Sequence, residues 1–385
     1  YLHVPSSGGL TNLRAGTNVE PLSLQELARL SAGDSSIPKP IKEAEPLSYG
    51  SVLGSPGLRD RILSQYHSED VPEQLSLTVT QGAIAANFIV LDTLLGPGDH
   101  VICQYPTYQQ LYEVPRRVGA DVSLWCTHAE KGWIPDLEDL SSLVRESTKM
   151  IIINNPNNPT GASIPQAVLE GLVSFATERN IIIFSDEVFR PLFHTESTPP
   201  SIISFAKQCK NIIAVSSLSK AYALPGIRIG WAISPNPEIM EQITLARDYT
   251  TLSVSQVDQD IATFALGLGK KDGPLGRSWE ISSINLASLE KFIARYPNRL
   301  RWVKPTGASM AFVRIVEERT GLPLDDALYC EGLLKETGLL LVPGGKTFGT
   351  EGDNDFKGYI RVGFAVAPEK FERALQIWGK YLDRS

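Results

Sequence analysis

A lysine that sheds its proton becomes both a nucleophile and a base, and Lys220 stands in a segment suited to that use. It lies in SSLSKAYALPGIRIGW, Ser216 to Trp231, behind a run of serines and eight residues ahead of Arg228. Pro225, Gly226 and Gly230 bend the chain between and after these cations. Taken alone, the stretch reads as a surface turn after a strand. The alternative is a lysine positioned for covalent chemistry beside an anion site, and the rest of the sequence decides between the two.

Four other segments carry residues of the same kind. NIIIFSDEVFR sets Asp186 just past an apolar run, where a carboxylate serves as a helix cap or as the partner of a buried cation. NNPNNPTG, Asn154 to Gly161, has the prolines and glycine of a turn and asparagines able to point amide donors at a ligand. VTQGAIAANFIV passes through Gly82 into a helical pattern, so that backbone N–H groups at the helix start can approach an anion. Tyr108, in YPTYQQLY, is a stacking platform or a core aromatic.

Something must hold these segments together, and the apolar pattern supplies it. HVICQYP, MIIINNP, NIIIFSDE, NIIAVSSLS and GWAIS are short, β-branched runs without polar alternation, as expected of strands buried on both faces. AIAANFIVLDTLL and PQAVLEGLVSFATERN lie between them with helical periodicity, which predicts a three-layer α/β domain with a mixed, mainly parallel sheet. In such sheets ligands bind at the carboxyl ends of the strands, where the residues above fall. From about Trp279 the pattern changes to α+β: WEISSINLASLEKFIARY, DDALYCEGLLKET and PEKFERALQIWGKYL as helices, with LRWVKP, SMAFVRIV and YIRVGFA as strands. The predicted division is a large domain over 46–278 and a smaller α+β domain from 1–45 and 279–385.

The bulk numbers remove several function classes. The 385 residues are 42% hydrophobic and 21% charged, with a net charge of −7 and no basic cluster, so a nucleic-acid partner is not expected. Cys103, Cys126, Cys209 and Cys330 form neither a CxxC pair nor a Cys/His cluster, so no metal is expected. Few cysteines, no visible signal peptide and no apolar stretch of spanning length predict a cytoplasmic protein without membrane contact.

The segments also recur in a recognisable order. YGSVLGSPGLR, TQGA, GPGD, PTY, NNPNNPTG, SDEV, SLSKAYALPGIRIG, VPGGKTFG and YIRVGFA make the chain resemble the class I/II aminotransferases of fold type I, which depend on pyridoxal 5'-phosphate. The resemblance runs from about Asn12 to the C-terminus. It implies that Lys220 forms the Schiff base with the cofactor and later carries protons. It implies further that Arg228, Ser217, Ser219, Gly82 and Ala83 hold the phosphate, and that Asp186 pairs with the ring nitrogen. Asn158 would then bind the phenolic oxygen, Tyr108 would stack on the ring, and Arg361 would clamp the substrate α-carboxylate. Tyr49 matches a tyrosine that reaches the neighbouring subunit's cofactor, which implies a homodimer with shared active sites.

Two places depart from that pattern. Phe189 stands where the family usually has a tyrosine that donates to the phenolic oxygen, so one of two donors is missing. In the N-terminal NLRAGTNVEPLSLQEL, Gly16 matches the family's glycine near the substrate, but the stretch otherwise looks closer to a branch of cyclising enzymes such as capreomycidine synthase; Arg14 reads as an exposed charge there. Trp125, Trp133 and His194 read as packing or surface residues. The leading expectation is an aminotransferase acting on an L-amino acid through an α-carbanion. A cyclase, lyase or β/γ-replacement enzyme on the same fold is the alternative, and a non-catalytic cofactor-binding regulator is the remote one.

Overall fold

The structure, a computed structural model, describes residues 11–12, 20, 22–30, 49–66, 68, 71–72, 74–196, 198–350 and 355–384. Its centre is a seven-stranded sheet in the order Ser76–Gln81, Ile229–Ser234, Ile212–Ser217, Ile182–Asp186, Thr148–Asn154, His100–Tyr105, Asp121–Cys126. Ile229–Ser234 runs antiparallel to both its neighbours, and the remaining pairings are parallel.

The apolar runs form strands because both faces of the sheet are covered. Side chains alternate between faces with a period of two. Ile151 and Ile153 accordingly enter one core, while Met150 and Ile152 enter the other. Helices Gln166–Glu178 and Gln256–Gly267 cover the first face; Ala83–Leu94 and Pro237–Asp248 cover the second. Ile151, Ile152 and Ile153 have no exposure, and burying each contributes about 1.5–3 kcal/mol. A charged residue at any of them would break the layer. Asp121–Cys126, at the sheet edge, is only partly covered. Its mixed run DVSLWC therefore lacks the all-apolar signature of the inner strands.

A second, antiparallel sheet has the order Val342–Pro343, Tyr359–Gly363, Met310–Ile315, Leu300–Trp302. Helices Asp326–Thr337 and Pro368–Leu382 pack on it through Tyr329, Leu333, Phe371 and Trp378. One continuous helix, Pro274–Ala294, joins the two cores: Leu275 is buried with the large sheet, and Leu286, Leu289 and Phe292 with the small one. Thr306 and Gly307 also donate backbone hydrogen bonds to the Gly161 carbonyl, at 3.0 and 2.9 Å, tying the small-sheet side to the NNPNNPTG loop. Among the described residues, no helix is long and apolar enough to cross a membrane.

The register then brings the chemical residues to one edge. Asn154 is opposite Asp186, Asp186 opposite Val215, Ser217 opposite Gly230, and Gln81 opposite Ile229. Because Ile229–Ser234 is reversed, its first residues lie beside the last residues of its neighbours. Arg228 thus meets Ser217, Asp186 and Asn154 at a common rim.

Candidate active site

A cavity of about 710 Å³ opens at that rim, between the large sheet and the Leu340–Phe348 segment of the small-sheet side. Tyr108, Asn158, Asp186, Ser217, Ser219, Lys220, Arg228 and Arg361 all line it, together with Ala83 at the start of helix Ala83–Leu94.

One anion-binding feature is built from two glycines and an arginine. Gly82, at φ +79°, caps the helix without a side-chain hydrogen bond, leaving the first backbone N–H groups to an external acceptor. A Cβ on Gly82 would collide with the Arg228 guanidinium, and one on Gly230 would lie 2.5 Å from the Ala83 nitrogen. Helix start, strand and guanidinium can approach this closely only with glycine at both positions. Arg228 donates to the Pro225 carbonyl at 2.8 Å, to the Ser219 hydroxyl at 3.4 Å and to the Gln81 carbonyl at 3.5 Å. These partners are all neutral. A guanidinium beside a helix N-terminus therefore presents concentrated positive potential.

Asp186 ends its strand 3% exposed. Its carboxylate accepts from the Asn87 amide at 2.9 Å and from the Val188 N–H at 3.1 Å. Burial pushes the carboxyl up to about 6; the Asn87 and Val188 hydrogen bonds oppose this, Glu187 adds to it, and Lys220 opposes it. Asn154 couples this strand end to the next loop: its amide donates to the Asp186 carbonyl at 2.9 Å, and its oxygen accepts from the Asn158 N–H at 2.8 Å. Asn158 in turn accepts from Arg361 at 2.9 Å, which leaves its own amide N–H groups as donors. The Arg361 guanidinium also lies 5.3 Å from the centre of the Phe348 ring.

The Lys220 ammonium is held down to about 8, chiefly by burial; Arg361 also lowers it, Asp186 pulls the other way, and Arg228 adds a smaller lowering. The site thus contains a carboxyl pushed up and an amine pushed down within one cavity. That is the arrangement expected where proton transfer is to occur near neutral pH.

Phe189 also lines the cavity, 2% exposed, and offers no hydroxyl. Tyr49 lies outside the lining and is 84% exposed. Gly16 and Arg14 fall outside the described residues. Trp125, Trp133 and His194 do not line the cavity; Trp125 donates to the Asp136 carbonyl at 2.9 Å, Trp133 packs among Phe312 and Tyr359, and His194 meets the Ala308 carbonyl at 2.7 Å.

Three contributors escaped the sequence reading. Asn87 was a visible anomaly, a polar residue within the apolar AIAANFIVL run, and it is 1% exposed. Gln109, next to Tyr108, donates to the Thr347 carbonyl and straps the small-sheet side across the cavity. Lys346 lies in the same VPGGKTFG segment and lines the cavity. Nothing in the sequence distinguished these last two from surface polar residues.

The residues fit a phosphate-bearing aromatic cofactor. The glycine cradle and the neutral surroundings of Arg228 suit a phosphate, and a buried carboxylate suits a protonated ring nitrogen. Asn87 Oδ1 is buried without a hydrogen-bond partner, so the polar network around Asp186 is incomplete in the protein alone.

Comparison with known proteins agrees. The sequence profile of the family described as Aminotransferase class I and II matches residues 41–377. The aspartate aminotransferase of Thermotoga maritima is 29% identical over 366 residues, covering 91% of this chain and 90% of that protein. The capreomycidine synthase of Streptomyces vinaceus is 27% identical over 326 residues, covering 85% and 78%. The crystal structure of a PLP-dependent aminotransferase from Streptococcus suis matches with a TM-score of 0.84 at 39% identity, covering 97% of this chain and 93% of that one. Profile, relatives and fold converge on one conclusion: the chain belongs to the class I and II aminotransferases, pyridoxal 5'-phosphate-dependent enzymes of fold type I that act on amino acids.

Proposed function

We propose that the protein is an aminotransferase that removes the α-amino group of an L-amino acid, with Lys220 as the proton carrier. The observation that carries this reading is the convergence of Lys220, Asp186, Arg228 and Arg361 on one cavity, where burial displaces the amine down and the carboxyl up. Pyridoxal 5'-phosphate, when bound, supplies a carbonyl carbon for the amino nitrogen and a ring that accepts the electrons released at the α-carbon.

The chain's own residues hold and steer that chemistry. Arg228, Ser217, Ser219 and the helix N-terminus at Gly82 and Ala83 hold the phosphate. Asp186, ionised at neutral pH, keeps the ring nitrogen protonated. Asn158 donates to the ring oxygen while its own oxygen is engaged by Arg361. Tyr108, in the cavity lining, would stack on the ring. Arg361 binds the α-carboxylate through two parallel N–H donors, which fixes the α-carbon. Burial and the neighbouring arginines favour the neutral form of Lys220, so the freed amine can take the α-proton and return one elsewhere. Helix Pro274–Ala294 links the two sides of this site, which we divide as 46–278 and the remainder.

The same reading includes a homodimer. The supporting observation is Tyr49, whose ring is 84% exposed, beside a segment in which Gly50 approaches Val254 and Gln256 and in which Tyr249 is 90% exposed. A second copy would cover these rings and bring Tyr49 to its neighbour's cofactor; sedimentation of the purified protein tests this.

A cyclisation outcome is the second reading, favoured by Phe189 in the cavity lining and by the similarity to capreomycidine synthase. One experiment addresses both. The loaded protein is mixed with a panel of L-amino acids in single turnover, and the products are identified. A stoichiometric 2-oxo acid supports transamination, and a cyclic amino acid supports the second reading. Full activity in Lys220→Ala would overturn both.

A further inference from the structure

A second cavity, of about 420 Å³, lies apart from the active site and shares no lining residue with it. Small-molecule sites typically enclose roughly 300–1,000 Å³, so the space is large enough for a metabolite. Its walls come from both sides of the molecule. Glu130 and Trp133 follow the edge strand Asp121–Cys126 of the large sheet, while Arg314 and Tyr359 are opposed residues on neighbouring strands of the small one. Asp355 and Phe356 complete the wall on the small-sheet side. The rings pack on one another: Trp133 lies 5.5 Å from Tyr359 and 6.2 Å from Phe356, centre to centre. Trp133 and Phe356 also hold left-handed backbone, at φ +61° and +58°, which bulky residues seldom adopt.

Charges of both signs share this space. Arg314 and Lys357 line it together with Glu130 and Asp355, and among the described residues none of the four makes an ion pair. The Arg314 guanidinium lies 5.4 Å from the centre of the Tyr359 ring, and the Asp355 carboxylate takes the Tyr105 hydroxyl at 3.0 Å. Five N–H donors on the one and four lone-pair sites on the other leave both with capacity to spare. Burial raises the Tyr359 hydroxyl, with Arg314 opposing and Glu130 adding, so both of these charges are felt at the same ring. A simple anion would leave the two carboxylates unmatched, and a simple cation would leave Arg314 so. A molecule carrying both charges beside a flat apolar group matches every wall. We infer that this cavity is a second ligand site that takes a free aromatic amino acid as its zwitterion, with the carboxylate on Arg314, the ammonium on Glu130 and Asp355, and the ring against Trp133 and Tyr359. Such a site would stand whatever reaction the other cavity performs.

Calorimetry of the loaded enzyme with L-phenylalanine tests this, using Arg361→Met to remove carboxylate binding in the active site. The Arg361→Met protein is expected to retain one phenylalanine site per chain. In that background Arg314→Met and Glu130→Gln should each weaken phenylalanine about tenfold, the size of one charge-assisted hydrogen bond in a half-open site. Glu130 is exposed in the short turn Ala129–Lys131, so its substitution probes the site without touching either core. The analogue 3-phenylpropionate lacks the ammonium; it should bind about tenfold more weakly than phenylalanine, and Glu130→Gln should not weaken it further. No binding in Arg361→Met, binding that neither Arg314→Met nor Glu130→Gln alters, or equal affinity for phenylalanine and 3-phenylpropionate would each overturn the inference.

Discussion

Removing the Asn87 side chain tests how the buried carboxylate is kept useful. Asn87 donates to Asp186 at 2.9 Å in a region with almost no exposure. A hydrogen bond to a charged group is worth about 1.5–3 kcal/mol, and 1.36 kcal/mol corresponds to one pH unit. Asn87→Ala should therefore raise the Asp186 carboxyl from about 6 to about 7–8. At pH 7 the side chain would change from mostly ionised to half or more protonated, and a protonated carboxyl does not hold a protonated ring nitrogen. The assay is titration of cofactor-free protein with pyridoxal 5'-phosphate from pH 5 to 9, followed by absorbance. The pH at which affinity reaches half its plateau should move up by one to two units. Gln110→Ala is the control, since it removes the other Asn87 partner at 3.3 Å without touching Asp186. An unshifted profile in Asn87→Ala, or an equal shift in the control, would refute the assignment of Asn87 as the group that keeps Asp186 ionised.

Three further outcomes are expected. Gly230→Ala places a Cβ 2.5 Å from the Ala83 nitrogen, so it should cost about 1–3 kcal/mol in thermal unfolding and weaken phosphate and cofactor binding together. Phe189→Tyr restores a donor in the cavity lining; it should lower by about one unit the pH at which the lysine-bound cofactor changes absorbance, because the ring oxygen is then stabilised as an anion. The cofactor-free protein should show two opposed pH effects in its melting temperature. Asp186 is raised in the fold from 3.8 to about 6, so the folded state binds the extra proton between these values and stability falls as pH rises through them, by about 3 kcal/mol. Lys220 is lowered from 10.5 to about 8, so the unfolded state binds the extra proton there and stability rises with pH across that window. A flat melting profile in both windows would contradict the burial of these groups.

The sequence by itself determined the inner strands, the loops at their carboxyl ends and the identity of most cavity residues. MIIINNP, NIIIFSDE and NIIAVSSLS are apolar along their whole length, and only a sheet covered on both faces accommodates such runs. Each ends in the polar residue that the parallel register must bring to the rim, so Asn154, Asp186 and Ser217 were legible from local pattern and order alone. The edge strand Asp121–Cys126 was not, because partial exposure permits a mixed composition. The helix Pro274–Ala294 likewise runs through 278 and 279 without a break, since a helix that buries one end in each core needs no linker composition between them.

Tertiary structure alone decided how these residues behave. Asn87 and Asp186 are 99 positions apart and Asn158 and Arg361 203 apart, so neither pairing leaves a trace in local sequence. The values of about 8 for Lys220 and about 6 for Asp186 have the same origin. Residue type sets which proton can move, but burial and charges carried in from distant parts of the chain set the pH at which it does.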